Sequence, residues 1–119
     1  MNVAVLGASN KPHRYSCQAV QMLIEHGHTT YPVHPVIQRI GDLEVWASLD
    51  DVPQPIDTLT LYLSAGNSDR VADAILAAGA RRVIFNPGAE NRDLASKLKE
   101  KGIEPIDACT LVMLKTGQF

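Results

Sequence analysis

The residues that most constrain this chain are short apolar runs, each ending in small or turn-forming residues and most of them separated by stretches of helical spacing. Residues 3–6, Val-Ala-Val-Leu, form a continuous, largely β-branched run that ends in Gly7. Such a run reads as a strand buried on both faces, and therefore as part of a parallel sheet. The next segment, residues 8–14, is small, polar and interrupted by Pro12. From about Tyr15 apolar residues recur as Cys17, Val20, Leu23 and Ile24 until Gly27 stops them, which predicts a helix.

The unit then repeats with variations. Residues 29–33 are β-rich and close on His34-Pro35, and residues 56–63 form a third run followed by the small, polar stretch 64–68. Helical spacing returns with Val71, Ala74, Ile75 and Ala78 and halts at Gly79, after which residues 82–85 form a strand that enters Asn86-Pro87-Gly88. A charged helix over about 91–101, stopped by Gly102, and a short strand at 103–106 complete the order β-α-β-β-α-β-α-β. Residues 36–55 break the rhythm and read as an irregular crossover with at most one turn at 48–52. Pro32 fits its strand only near the strand's end or at a bulge.

Parallel strands with right-handed helical crossovers predict an α/β, Rossmann-like doubly wound sheet of five strands, with order 3-2-1-4-5. At 119 residues and 45% hydrophobic content, the chain matches a single domain spanning 1–119 with one ordinary core. In such sheets ligands bind beyond the carboxyl ends of the strands, at the switch point beside the first one. The loops after Leu6, Val33, Leu63 and Phe85 are expected to converge there.

A net charge of −2 offers no field for nucleic acid or an anionic membrane, so any anion needs a local site. Cys17 and Cys109 lie far apart and match neither a disulfide framework nor a zinc spacing, which fits a reducing cytoplasm. No leader or membrane-spanning run is recognisable, so a cytoplasmic location is expected.

The loop from Gly7 to Ser16 is the strongest candidate site. It precedes a helix, where unpaired amides and the positive dipole end favour a phosphate. Gly7 and Ala8 allow close approach to the backbone, Ser9 and Ser16 offer hydroxyls, and Lys11 and Arg14 supply cations. The dinucleotide pattern of three glycines is not met, because Ser9 and Pro12 stand at its second and third positions. Nor does an acid end the second strand to hold a ribose hydroxyl, which disfavours NAD. No Gly-Lys-Ser/Thr triplet is present for a P-loop. His26 and His28 flank Gly27 at a helix end, a poor metal site, and no metal is expected. Cys17 reads as a buried thiol, and Cys109, beside Asp107, lacks a neighbouring base.

Taken together, several stretches resemble the small stand-alone CoA-binding domain proteins, similar in fold to the N-terminal CoA-binding domain of the succinyl-CoA synthetase alpha subunit. The carriers are residues 3–9 with Pro12, Arg14, Ser16 and Val20; Tyr31-Pro32-Val33-His34-Pro35; residues 48–53; Ala78-Gly79-Ala80; and Asp107 with Cys109. The resemblance implies that Gly7, Ala8, Ser9, Lys11, Pro12, Arg14 and Ser16 hold CoA phosphates. It assigns the adenosine part to His34, Pro35, Leu63, Ser64 and Ala65, and turns Asn86, Pro87 and Gly88 toward the diphosphate or pantetheine arm. His34 stands where the family usually has asparagine, and Val36 replaces a frequent lysine, with Arg39 the nearby cation. The synthetase reaction does not transfer with the fold, because its phosphorylated histidine belongs to another domain.

The reading that follows is non-catalytic binding of CoA or acyl-CoA. Alternatives are an NAD(P)- or other nucleotide-binding domain, or an acyl-CoA-dependent enzyme using Cys109 or His34. A further alternative is an interaction module whose apolar residues Leu111, Val112, Met113 and Leu114 support a homodimer or bind another protein.

Overall fold

The computed structural model describes residues 1–53 and 55–119. Strand β1 (Asn2–Leu6) is the central element, with β2 (Thr29–Val33) on one side and β5 (Thr58–Leu61) on the other, both parallel to it. Strands β6 (Arg82–Phe85) and β7 (Glu104–Asp107) extend the sheet beyond β5, also in parallel. Side chains alternate across β1: Val3 and Val5 face one core with Cys17, Val20 and Leu23, whereas Ala4 and Leu6 face the other with Leu59, Phe85 and Leu94. Two buried faces explain why the first run is continuously apolar.

Helices α1 (Tyr15–Glu25) and α5 (Thr110–Lys115) cover the first face, and α3 (Ala72–Ala77) and α4 (Arg92–Glu100) the second. The doubly wound, Rossmann-like α/β architecture is therefore present. Its strand order is a correction. Numbered along the chain, the five sheet strands run 2-1-3-4-5 and not 3-2-1-4-5. The third strand pairs with β1 because the outer edge of β2 is already engaged by the crossover. Trp46 donates its amide to the Pro32 carbonyl at 2.9 Å and accepts from the His34 amide at 2.9 Å. That same contact explains Pro32. Its carbonyl points outward, so its ring nitrogen does too, and the missing N–H removes no bond to β1.

The crossover folds as a small hairpin, β3 (Arg39–Ile40) with β4 (Leu43–Glu44), and a single 3-10 turn at Leu49–Asp51, within the stretch expected to hold at most one turn. Two short helices were not anticipated. Residues expected as a loop form α2 (Ala65–Arg70), whose first turn is capped by the Ser64 hydroxyl accepting from the Asn67 amide. The apolar run at 111–114 lies in α5 and docks beside α1. Leu111 and Leu114 are buried, Met113 is half-buried and only Val112 is exposed, so the run is core more than surface patch. No helix among the described residues is long and apolar enough to cross a membrane.

Gly7 is where the sheet hands the chain to the first loop. It adopts φ +81°, and a Cβ there would stand 2.8 Å from the Tyr62 carbonyl oxygen at the end of β5. Its hydrogen therefore makes room for the neighbouring strand. Gly7→Ala combines left-handed strain with a backbone clash and should cost about 2–4 kcal/mol of stability. Urea unfolding would measure it, and a loss below about 0.5 kcal/mol would contradict this packing.

Candidate functional site

At the carboxyl ends of β1, β2 and β5 lies a cavity of about 1360 Å³, large enough for an extended nucleotide. The changed strand order keeps it at the switch point, between the strands that leave β1 on either side. Gly7, Ala8, Ser9, Lys11, Arg14 and Ser16 line it from the first loop and the start of α1. His34, Pro35 and Leu63 line it from the ends of β2 and β5. Pro12 instead borders a smaller cavity with Cys17, and Ser64 and Ala65 lie outside the lining.

The backbone of the first loop needs one correction. The amides of Gly7 and Ala8 both donate to the Val33 carbonyl, at 3.2 and 3.3 Å, because the β1–β2 ladder continues past the end of β1. They are not free for an anion. Among the described residues, the amides of Ser9, Asn10, Tyr15, Ser16 and Cys17 have no such partner. Arg14 sits at the N-cap of α1 without a side-chain cap, so the first helical turn keeps its donors directed outward. Ser9 accepts from the Lys11 amide at 3.1 Å, which leaves its hydroxyl proton available. Unpaired amides, a helix dipole and two cationic side chains are a donor set that fits a phosphate group.

His34 acts as a turn residue. Its Nδ1 accepts from the amides of Val36 and Ile37, both at 3.0 Å, as an asparagine oxygen would. Its proton therefore resides on Nε2, which can donate but not serve as a base in this tautomer. Val36 is exposed and lies outside the lining, and so does Arg39, whose guanidinium donates to the Asp42 carbonyl at 3.0 Å.

Asn86, Pro87 and Gly88 also lie outside the lining. The Asn86 side chain is buried and spent internally. Its amide donates to Thr60 Oγ1 at 2.7 Å and to the Leu61 carbonyl at 2.9 Å, and its oxygen accepts from the Thr110 amide at 2.9 Å. It ties β5, β6 and α5 together. Cys109, half-buried at the N-cap of α5, is likewise absent from the lining. Among the described residues no three His, Cys, Asp or Glu side chains gather to hold a metal.

Polar residues of the lining that the sequence did not single out include Asp50 from the 3-10 turn, Tyr62 after β5, Asn67 and Arg70 from α2, and Asp73 from α3. The Tyr62 hydroxyl is buried without a partner. Burial pushes the Tyr62 phenol well above its usual range, with the neighbouring Cys109 adding to the shift and the Thr110 and Thr60 hydroxyls opposing it.

A model of the CoA binding domain matches residues 1–115. The chain belongs to the CoA-binding-domain family. Protein YneT of Bacillus subtilis (strain 168), an uncharacterised relative, is 29% identical over 111 residues, 92% of this chain and 82% of that one. The crystal structure of another uncharacterised protein superposes with a TM-score of 0.93 at 38% identity, covering 99% and 97% of the two chains. A dinucleotide-forming acetyl-coenzyme A synthetase from Ca. Korarchaeum cryptofilum, solved with phosphate and ADP, shares the fold. Its TM-score is 0.77 at 21% identity over 90% of this chain and 25% of the synthetase. The family shown is thus that of CoA-binding domains, with the synthetase sharing the fold alone, and nothing ties the chain specifically to the succinyl-CoA synthetase alpha subunit.

Two substitutions test these assignments. Asn86→Ala removes three buried hydrogen bonds and leaves the Thr110 amide without its partner, and should lower stability by about 2–4 kcal/mol in urea unfolding. A loss below about 0.5 kcal/mol would remove Asn86 from the core network. Tyr62→Phe discards a buried hydroxyl without a partner and should raise stability by about 1 kcal/mol or more near neutral pH. Because the folded phenol ionises later than the unfolded one, wild type should lose stability as pH rises past about 10, and the Phe variant should lose less. Parallel pH profiles would show that the phenol is not shielded.

Proposed function

We propose that this protein is a non-catalytic CoA or acyl-CoA module of the cytoplasm, with residues 1–119 acting as one binding unit that serves as carrier, sensor or regulatory subunit. The observation that carries the reading is the uncapped start of α1, flanked by Lys11 and Arg14 on the wall of the large cavity. Charge-assisted bonds from these groups suit the CoA diphosphate. His34 Nε2 and Pro35 border the space for adenosine, and Leu63 gives it an apolar surface. The Asn86-Pro87-Gly88 turn, lying outside the lining, is then a support for the cavity floor more than a ligand contact. Two observations favour binding without chemistry: Nδ1 of His34 is engaged by its own turn, and Cys109 stands off the cavity.

One observation favours a second reading as an NAD(P)-type nucleotide domain. Asp50 brings a carboxylate to the cavity that could accept from a ribose hydroxyl, although it comes from the crossover and not from the end of β2.

Calorimetry with CoA, dephospho-CoA, ADP and NAD separates the two. CoA should bind best, and no CoA binding at millimolar concentration, or tighter binding of NAD, would overturn the proposal. The double variant Lys11→Ala with Arg14→Ala should weaken CoA by about 30-fold or more, at about 1 kcal/mol or more per lost phosphate contact, while leaving adenosine within about threefold. Equal losses on both ligands would remove these side chains from phosphate binding.

A further inference from the structure

The cations of the cavity wall come from two separate elements. Lys11 and Arg14 belong to the loop after β1, whereas Arg70 ends α2, which follows β5. Because β2 and β5 flank β1 on opposite sides, Arg70 and the His34-Pro35 turn reach the cavity lining from different sides of β1. A ligand with a single anionic group needs only one of these centres. A ligand with a diphosphate and a second, distant phosphate suits both.

We infer that Arg70 reads a phosphate on the ribose of the bound nucleotide and gives the site its preference for a ribose-phosphorylated ligand; the inference rests on the CoA reading above. Val36 and Arg39 make no contribution at the wall, so the segment after β2 brings no cation there. The α2–α3 side does. Arg70 is exposed, and among the described residues no carboxylate lies within ion-pair distance of it. The acids nearest in the lining, Asp50 from the 3-10 turn packed against α3 and Asp73 from α3 itself, make this part of the cavity repel a phosphate unless a cation offsets them. Arg70 is the guanidinium placed to do so, with a planar fork that matches phosphate oxygens. Asp50 then accepts from the remaining free ribose hydroxyl. Asp50 as acceptor and Arg70 as cation match a ribose with one hydroxyl free and one phosphorylated, as in CoA, while Asp73 stays exposed on α3. An unmodified diol, as in dephospho-CoA or NAD, would leave the cation without a partner.

Calorimetry on wild type and Arg70→Gln, each with CoA and dephospho-CoA, tests the assignment, with a thermal melt to show that the exposed substitution leaves the fold intact. Wild type should prefer CoA by about tenfold or more, and Arg70→Gln should lose about tenfold for CoA while dephospho-CoA changes less than about twofold. A preference that persists in Arg70→Gln, or equal weakening of both ligands, would overturn the role of Arg70. If wild type binds both equally and the Lys11→Ala/Arg14→Ala variant weakens both, the CoA reading stands and Arg70 alone is wrong. If wild type binds neither, both readings fall. Adenosine 3′,5′-bisphosphate against AMP gives the same comparison without the pantetheine arm, and NADP, phosphorylated at the 2′ position, tells which ribose oxygen is read.

Discussion

Everything at the ligand edge depends on how β1 leaves the sheet. At Gly7 the chain is held from both sides at once: its amide still bonds to the Val33 carbonyl of β2, and its α-carbon lies against the Tyr62 carbonyl that ends β5. Only a residue without a Cβ, in the left-handed region, satisfies both neighbours. The loop that emerges is fixed in direction before any ligand contact is made. Its first two amides are consumed by the sheet, so the donors presented to the cavity begin at Ser9 and resume at the uncapped start of α1.

A second set of buried polar contacts holds the opposite wall. Asn91 caps α4 through its oxygen, which accepts from the Leu94 amide. Its NH₂ donates to Ser68 Oγ and Asp69 Oδ1, both at 2.8 Å. One side chain therefore ties the short helix α2 to the start of α4. Helix α2 has six residues and would not persist alone. Arg70 owes its place on the cavity wall to that tether, much as the end of β5 owes its position to Asn86. Buried amides satisfied in this way fix geometry more than they add net energy.

The legible parts of the sequence are those governed by periodicity. The five sheet strands were readable from β-branched runs, and α1, α3 and α4 from helical spacing stopped by Gly27, Gly79 and Gly102. The strand order was not, because whether the third strand joins β2 or β1 depends on Trp46 covering the outer edge of β2, a contact with no local signature. Helix α2 was hidden by its composition of small and polar residues, and α5 by its brevity. At the site, a strand-to-helix turn announces itself, so Ser9, Lys11, Arg14 and Ser16 could be named in advance. Asp50, Asn67 and Arg70 could not, since their approach depends on long-range packing of the crossover and α2.

The distribution of charge sharpens what kind of binding this architecture permits. With a net charge of −2 the molecule exerts no long-range pull on an anion, so attraction acts only where cations are gathered. Two further arginines lie at the amino ends of the strands, far from the cavity, and are engaged there. Arg81 pairs with Asp57 at 3.3 Å, and Arg82 donates to Thr58 and stacks 4.6 Å from the centre of the Phe119 ring. That end of the sheet is closed by its own contacts. The carboxyl end instead keeps Lys11, Arg14 and Arg70 without an ion-pair partner among the described residues, around a space they do not fill. Arg92, Lys97 and Lys99 of α4 and Lys115 of α5 also lack an ion-pair partner among the described residues, but they do not line that cavity. It is the concave space that gathers cations around one anion, and selection among anions then falls to the spacing between the two cationic walls.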